Sequence, residues 1–311
     1  MKNNQIYVVL IGIMFLWGVN VSAIKVLVNQ FDVMTITALR IFVASIFVLI
    51  ILAFMKKVRL PRKEEWILLL GGTLTNVVFH HYFLADGLSK TSAANGGLIL
   101  GLGPLLTAVL SVTILKEKLT GLRFLGFMLG GAGVSFTVLA GSGKLGDVSI
   151  GDVEVFLSIL SQALSFLIIK KASQTMDARL MTGYMLLMGS FVLMVIAVVK
   201  EPTGFMTLRD GSTSIWFVFV FSALIATAVG HMLYNSSIKK IGAASASIFL
   251  NFNTFFALVG AGLFLGEKLL PAHFIGLVLI VMGVSFGSGA IEVYLRNRKL
   301  MQLERESDSS T

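Results

Sequence analysis

From Ile6 to Tyr294 the chain is a succession of ten apolar stretches about 20 residues long, which leave little of its 311 residues for anything else. A helix needs about 20 mostly apolar residues to cross the hydrocarbon core of a bilayer. The spans expected on that basis are 6–28, 33–55, 66–88, 92–115, 121–140, 153–170, 180–198, 215–238, 242–265 and 272–294. They are too long to be the alternating ten-residue strands of an outer-membrane barrel. The expected fold is therefore an all-α integral membrane protein with ten transmembrane helices. Charged residues are 13% of the chain and apolar residues 56%, against roughly 25% and 45–50% in soluble domains. No hydrated surface can be built from that composition, and no soluble domain fits between the spans.

The net charge of +9 raises the question of nucleic acid, but position answers it. With the N-terminus on the cytoplasmic side, 18 of the 25 Lys and Arg fall in cytoplasmic segments. Five fall outside (Lys90, Lys144, Lys200, Arg209, Lys268), and Lys25 and Arg40 lie within spans. Such asymmetry follows the positive-inside rule when both termini are cytoplasmic, so the charge reflects orientation in a cell membrane and nucleic acid is not expected as a partner. With no cysteine, disulfides and thiolate chemistry are excluded. The first apolar segment exceeds a signal-peptide core and offers no clear cleavage site, so it is read as a retained span. Residues 295–311 run from basic to acidic and are expected to form a disordered cytoplasmic tail.

Shifting the chain by 150 positions aligns 80–136 with 230–286 without a gap, and about 17 of the 57 positions are identical. His81 meets His231, Lys90 meets Lys240, Glu117-Lys118-Leu119 meets Glu267-Lys268-Leu269, and Gly133 to Phe136 meets Gly283 to Phe286. A separate offset of 145 places Lys25 opposite Lys170 and Arg40 opposite Met185. Residues 1–140 and 141–294 are thus expected to be two five-helix repeats. Five is odd, so the second half enters the bilayer inverted, an architecture suited to alternating access.

The stretch Trp17-Gly18-Val19-Asn20 through Ile24-Lys25, the Ala38-Leu39-Arg40 segment, and the Ala93-Ala94 and Pro104 region ending at Glu117, with its counterpart ending at Gly266-Glu267, carry a family resemblance. They resemble the EamA branch of the drug/metabolite transporter superfamily over roughly residues 6–290. Lys116 stands where that family usually has glycine, and Thr254 replaces the proline expected opposite Pro104. The resemblance implies a secondary carrier that exports or exchanges small metabolites.

Polar and ionisable groups at membrane depth mark candidate pathways. Arg40, roughly 10 Å deep by helix rise, cannot readily discharge and needs a carbonyl, a carboxylate, water or an anionic substrate nearby. His81, Trp17, Asn20, Tyr82, Tyr234, Asn235, Asn251 and Asn253 complete the expected substrate chamber. Of Asn251 and Asn253, at most one is expected to face its centre, since residues two apart do not share a helix face. Interhelical hydrogen bonding is the plainer role for all of these groups. His81, His231 and His80 are the candidates for proton coupling, because imidazole titrates near neutral pH. Glu117 and Glu267, at span ends, and Lys25, expected to snorkel toward Asp32, are assigned structural or gating roles.

No metal ligand set and no cofactor motif is expected: the loop at 141–145 lacks the flanking residues of a phosphate-binding loop, and no His-Glu-x-x-His occurs. With no machinery for ATP hydrolysis, energy is expected to come from gradients or exchange, in a monomer or homodimer embedded in the lipid bilayer. The alternative is a membrane-embedded enzyme acting on lipid-linked substrates. It would need a catalytic cluster at the interface, yet the longest loops, 56–65, 141–152 and 199–214, contain no histidine and no acidic cluster.

Overall fold

The computed structural model describes residues 3–115, 120–141, 149–247, 249–287, 291 and 298. The sequence expectations for Glu117, for most of the 141–152 loop and for the 295–311 tail, apart from residue 298, lie outside those residues. The described chain is helical throughout its apolar segments. In chain order the elements are α1 (Asn3–Gln30), α2 (Val33–Phe54), α3 (Lys63–Lys90), α4 (Ala93–Leu100), α5 (Gly103–Leu115) and α6 (Gly121–Gly141). They continue with α7 (Ile150–Ala172), α8 (Ala178–Lys200), α9 (Thr213–Ile241), α10 (Ala243–Ser247), α11 (Leu250–Leu265) and α12 (Pro271–Gly287).

Among the described residues, seven helices are long and apolar enough to cross a membrane: α1, α2, α3, the joined stretch Ala93–Leu110, α7, α8 and α9. Three shorter apolar helices, Phe124–Gly133, Leu250–Leu265 and Pro271–Gly283, accompany them. Phe54, Val199, Phe217 and Leu263 stand among many large apolar side chains exposed on the outside of the bundle. In water that surface would be prohibitive, whereas in lipid it is the solvated face.

Hydrogen-bonding side chains set the helix starts. Ser149 and Asp152 cap α7 as a reciprocal pair, with Gly151 N–H donating to Ser149 Oγ at 3.0 Å and Ser149 N–H to Asp152 Oδ2 at 3.2 Å. Ser92 caps α4 and Asp177 caps α8. Asp32, the residue before α2, does not cap it; Glu201 does so from across the bundle, accepting from Met34 and Thr35 N–H at 3.0 and 2.8 Å.

Two features depart from uninterrupted spans. The expected 92–115 span is broken at Gly101 and Leu102, between α4 and α5, and the expected 242–265 span is divided between α10 and α11. Within α3 and α9, residues Thr73–Phe79 and Phe221–Val229 widen into π-type turns. Such turns release backbone carbonyls from the regular ladder and recur at functional sites.

Packing places the helices in pairs: α2 with α8, α6 with α12, α1 with α11, α7 with α4 and α5, and α3 with α7. The α6–α12 contact uses small residues, since a Cβ on Gly283 would strike the backbone of Gly130.

Candidate functional site

Where α1, α3, α7, α9 and α11 converge near the break between α4 and α5 lies a cavity of about 40 Å³. Its walls include Trp17, Asn20, His80, His81, Gln162, Thr227, His231 and Asn253. Ligand pockets generally run to roughly 300–1,000 Å³, so this conformation is closed around its centre.

Arg40 lies behind that wall. Its side chain is 2% exposed, with Nη1 donating to Thr227 Oγ1 at 2.7 Å and Nη2 3.4 Å from His81 Nδ1. No carboxylate pairs with it among the described residues. Thr227 is held by the wide turn in α9, where its hydroxyl donates to Ser222 O at 2.7 Å, five residues back. Because a guanidinium can only donate, His81 Nδ1 must be the acceptor, and the ring proton of neutral His81 is then on Nε2. That Nε2 is buried without a hydrogen-bond partner, as are Asn20 Oδ1 and Asn253 Oδ1, and all three residues line the cavity. The centre thus offers one donor, backed by a fixed cation, and two amide oxygens.

His80 is engaged on both ring nitrogens. Nδ1 lies 2.8 Å from Ser158 Oγ and Nε2 lies 3.0 Å from Gln162 Nε2. The chain of contacts runs on through Ser165, which donates to Gln162 O and accepts from Asn76 Nδ2 at 2.8 Å. His80 therefore ties α3 to α7. His231 packs against Trp17 at a tilt and edge-on against His81, with ring centroids 4.9 and 5.5 Å apart. Trp17 donates from Nε1 to Ala226 O at 2.8 Å, a carbonyl in the wide turn of α9.

Several expected chamber residues lie elsewhere. Tyr82 turns toward the end of α8, where Lys200 Nζ donates to its hydroxyl. Tyr234 is fully buried against Trp17 and Phe166, with its hydroxyl unpartnered. Asn235 bonds Thr182 Oγ1 of α8 at 2.9 Å. Of the two asparagines in α11, Asn253 faces the cavity and Asn251 does not. Lys25 does not pair with Asp32, whose Oδ2 accepts from Thr207. Lys25 Nζ instead donates to Leu88 O and Thr91 O at 2.7 and 2.9 Å, at the carbonyl end of α3. Glu267 accepts from Ala93 and Ala94 N–H at 2.9 and 3.0 Å, at the amide end of α4. Each charge meets the helix terminus of opposite partial charge.

Gln162 and Thr227 were missed by sequence reasoning. The 145 offset places Gln162 opposite Trp17, so the repeat carried that signal. Thr227 lies one helical turn before His231, a weaker cue.

A polytopic helical bundle with a closed, polar centre and broken helices beside it is the construction of a membrane transporter for small molecules. Comparison with known proteins gives the family: residues 4–139 and 149–288 match the EamA-like transporter family, and the chain belongs to it. The uncharacterized transporter YyaM of Bacillus subtilis is 30% identical over 306 residues, covering 96% of this chain and 98% of that protein. The uncharacterized transporter sll0355 of Synechocystis is 26% identical, covering 96% and 94%. A solved crystal structure superposes with a TM-score of 0.68 over 96% of this chain and 99% of its own, and at 16% identity it speaks to the fold alone. The chain is a secondary transporter of small molecules, and the alternative of a membrane-embedded enzyme is set aside.

Proposed function

We propose that this protein exports or exchanges a small carboxylate-bearing metabolite, with a zwitterionic amino acid as the simplest fit. The observation that carries this is the pairing of Arg40 with His81. A substrate carboxylate would accept from His81 Nε2–H, while Arg40 supports that hydrogen bond from behind with a full charge. An ammonium group would donate to the free oxygens of Asn20 and Asn253. Trp17 and His231 supply flat walls for the remainder. His81, Trp17, Asn20 and Asn253 contact the substrate in this reading, and Arg40 positions His81. His81 and His231 remain the groups through which any proton coupling would run.

In the same reading the chain crosses the plasma membrane ten times, both termini are cytoplasmic, and residues 1–140 and 141–294 are inverted halves. Three observations support this. The wide turns in α3 and α9 are about 150 positions apart, each just ahead of the aligned His81 or His231. Under exchange of halves, the α1–α11 pair becomes the pair of α7 with α4 and α5, while α2–α8 and α6–α12 map onto themselves. The break at Gly101 and Leu102 and the turn at Phe249 lie two to three residues apart under the 150 offset. Rocking of the halves would open the closed cavity to alternate sides.

The test is counterflow in vesicles containing purified protein. Uptake of labelled amino or carboxylic acids, driven by unlabelled solute inside, is the expected result. Movement of permanent cations alone, with no carboxylate-bearing solute transported, would overturn the substrate class.

A further inference from the structure

Three amide side chains border the closed centre, and they are not held alike. Asn20 and Asn253 have unpartnered amide oxygens, and no hydrogen bond fixes either side chain among the described residues. Each can turn over and present oxygen or nitrogen to whatever enters. Gln162 is held, because its Nε2 lies 3.0 Å from His80 Nε2 and an amide nitrogen can only donate.

The two ends of an amide are told apart by the network around them, and here His80 decides. Its Nδ1 lies 2.8 Å from Ser158 Oγ and 3.3 Å from Ser158 O. A carbonyl oxygen only accepts, and the Ser158 hydroxyl gives its one hydrogen to His80 O at 2.9 Å. Both neighbours of Nδ1 are thus acceptors, so the ring proton is on Nδ1 and Nε2 carries a lone pair. The Gln162 amide must turn its nitrogen to that lone pair. Turning it over would require the other tautomer, with the Nδ1 lone pair facing Ser158 O. Gln162 Oε1 accepts no hydrogen bond among the described residues and is the end left for the cavity that Gln162 lines.

The rings of His80 and His81 have centroids 4.8 Å apart, so this fixed acceptor and the His81 donor border the same small space. A ligand that satisfies both carries a hydrogen-bond donor beside its carboxylate. An ammonium group on the adjacent carbon supplies one. A keto oxygen there would meet Gln162 Oε1 lone pair to lone pair and leave both without a partner, which costs binding.

We propose that Gln162 is the specificity-determining residue of this centre, favouring 2-amino acids over 2-oxo acids, and that His80 is a positioning residue that fixes its amide. The proposal rests on the carboxylate reading of Arg40 and His81 above and narrows it to acids with a donor on the neighbouring carbon.

The test is counterflow in vesicles containing the purified full chain, with alanine, leucine and phenylalanine each compared with its own 2-oxo acid. The amino acid should exceed its 2-oxo acid by at least about tenfold in each transported pair. Gln162→Met, similar in length but without the acceptor, should narrow that ratio about tenfold, whereas Gln162→Glu, which keeps an oxygen there, should preserve or raise it. His80→Leu, which frees the amide to turn, should narrow the ratio as Gln162→Met does. His80→Gln, whose own oxygen can accept from Gln162 Nε2, should preserve it. Damage to the fold alone would lower both members of a pair together and leave the ratio unchanged. Equal transport of amino and 2-oxo acids by the wild type would overturn the proposal while the carboxylate reading stands, and so would a ratio unmoved by Gln162→Met and His80→Leu. Transport of no carboxylate-bearing solute would overturn both.

Discussion

Arg40 holds a permanent charge within the bundle with two neutral partners, Thr227 and His81, and no acid among the described residues. A buried charge without a counter-ion is costly, so its retention argues for an anion that arrives and leaves. Arg40→Gln should lower transport of carboxylate-bearing solutes by at least about tenfold, roughly 1.4 kcal/mol of binding, while sparing neutral analogues. Arg40→Lys should not restore it, because a single ammonium cannot span two partners as the planar fork does. Steady-state uptake in vesicles measures both. Part of this centre was legible beforehand: Arg40, His81, Asn20, Trp17 and Asn253 stood out because polarity is rare at membrane depth. Tyr82 and Asn235 did not fall where expected. The wide turns in α3 and α9 rotate the C-terminal part of each helix about its axis, so a regular 3.6-residue period does not give the facing of residues beyond them.

Helix ends rather than helix interiors carry the remaining charges. Lys25 closes the carbonyl end of α3 and Glu267 the amide start of α4, so one short turn at 91–92 is held by groups from α1 and from the segment after α11. Lys170, opposite Lys25 in the repeat, is exposed instead. Glu267→Ala should loosen the turn and Glu267→Gln should loosen it less. Because the chain has no cysteine, a Ser92→Cys variant reports the effect as faster labelling by a membrane-impermeant thiol reagent. At the start of α8, hydrogen bonding to Arg179 holds the Asp177 carboxyl down to about 2. A depressed carboxyl contributes stability above its unfolded pKa of about 3.9, lost as pH falls through about 2. Asp177→Asn, which can still cap, should therefore match the wild type below pH 2, whereas Asp177→Ala should cost about 1 kcal/mol at neutral pH. Thermal unfolding across pH checks the sign. Among the described residues, seven of the expected spans were legible from hydropathy to within about five residues. The π-type turns were not, because they have no proline or charge signature that separates them from a continuous apolar helix; the break at Gly101 and Leu102 did carry one, in Gly101, Gly103 and Pro104, which a reading by hydropathy alone passes over.

At the scale of the whole molecule, a cavity of about 40 Å³ holds no metabolite, so transport requires the bundle to open, and the driving force must enter through groups that change state. Among the described residues no acid lines the closed centre, and the histidines there are unequal. His80 is bonded on both ring nitrogens, and His81 already accepts from Arg40 on one. Protonating His81 at Nδ1 would remove that acceptor and set two positive charges about 3.4 Å apart. A carrier built this way is suited to exchange or downhill movement, in which the substrate's own carboxylate is the charge that alternately satisfies and vacates the Arg40–His81 pair. An imposed pH gradient should then fail to drive accumulation in vesicles, and His81→Gln, whose amide can still accept from Arg40 or donate to substrate, should retain counterflow at a reduced rate. His80→Gln should instead weaken the α3–α7 seam and lower thermal stability more than it changes substrate preference. Uphill uptake driven by a proton gradient and abolished by His81→Gln would reverse this assignment and make His81 the coupling residue, with His231, 5.5 Å away across the cavity, as the next group to receive the proton.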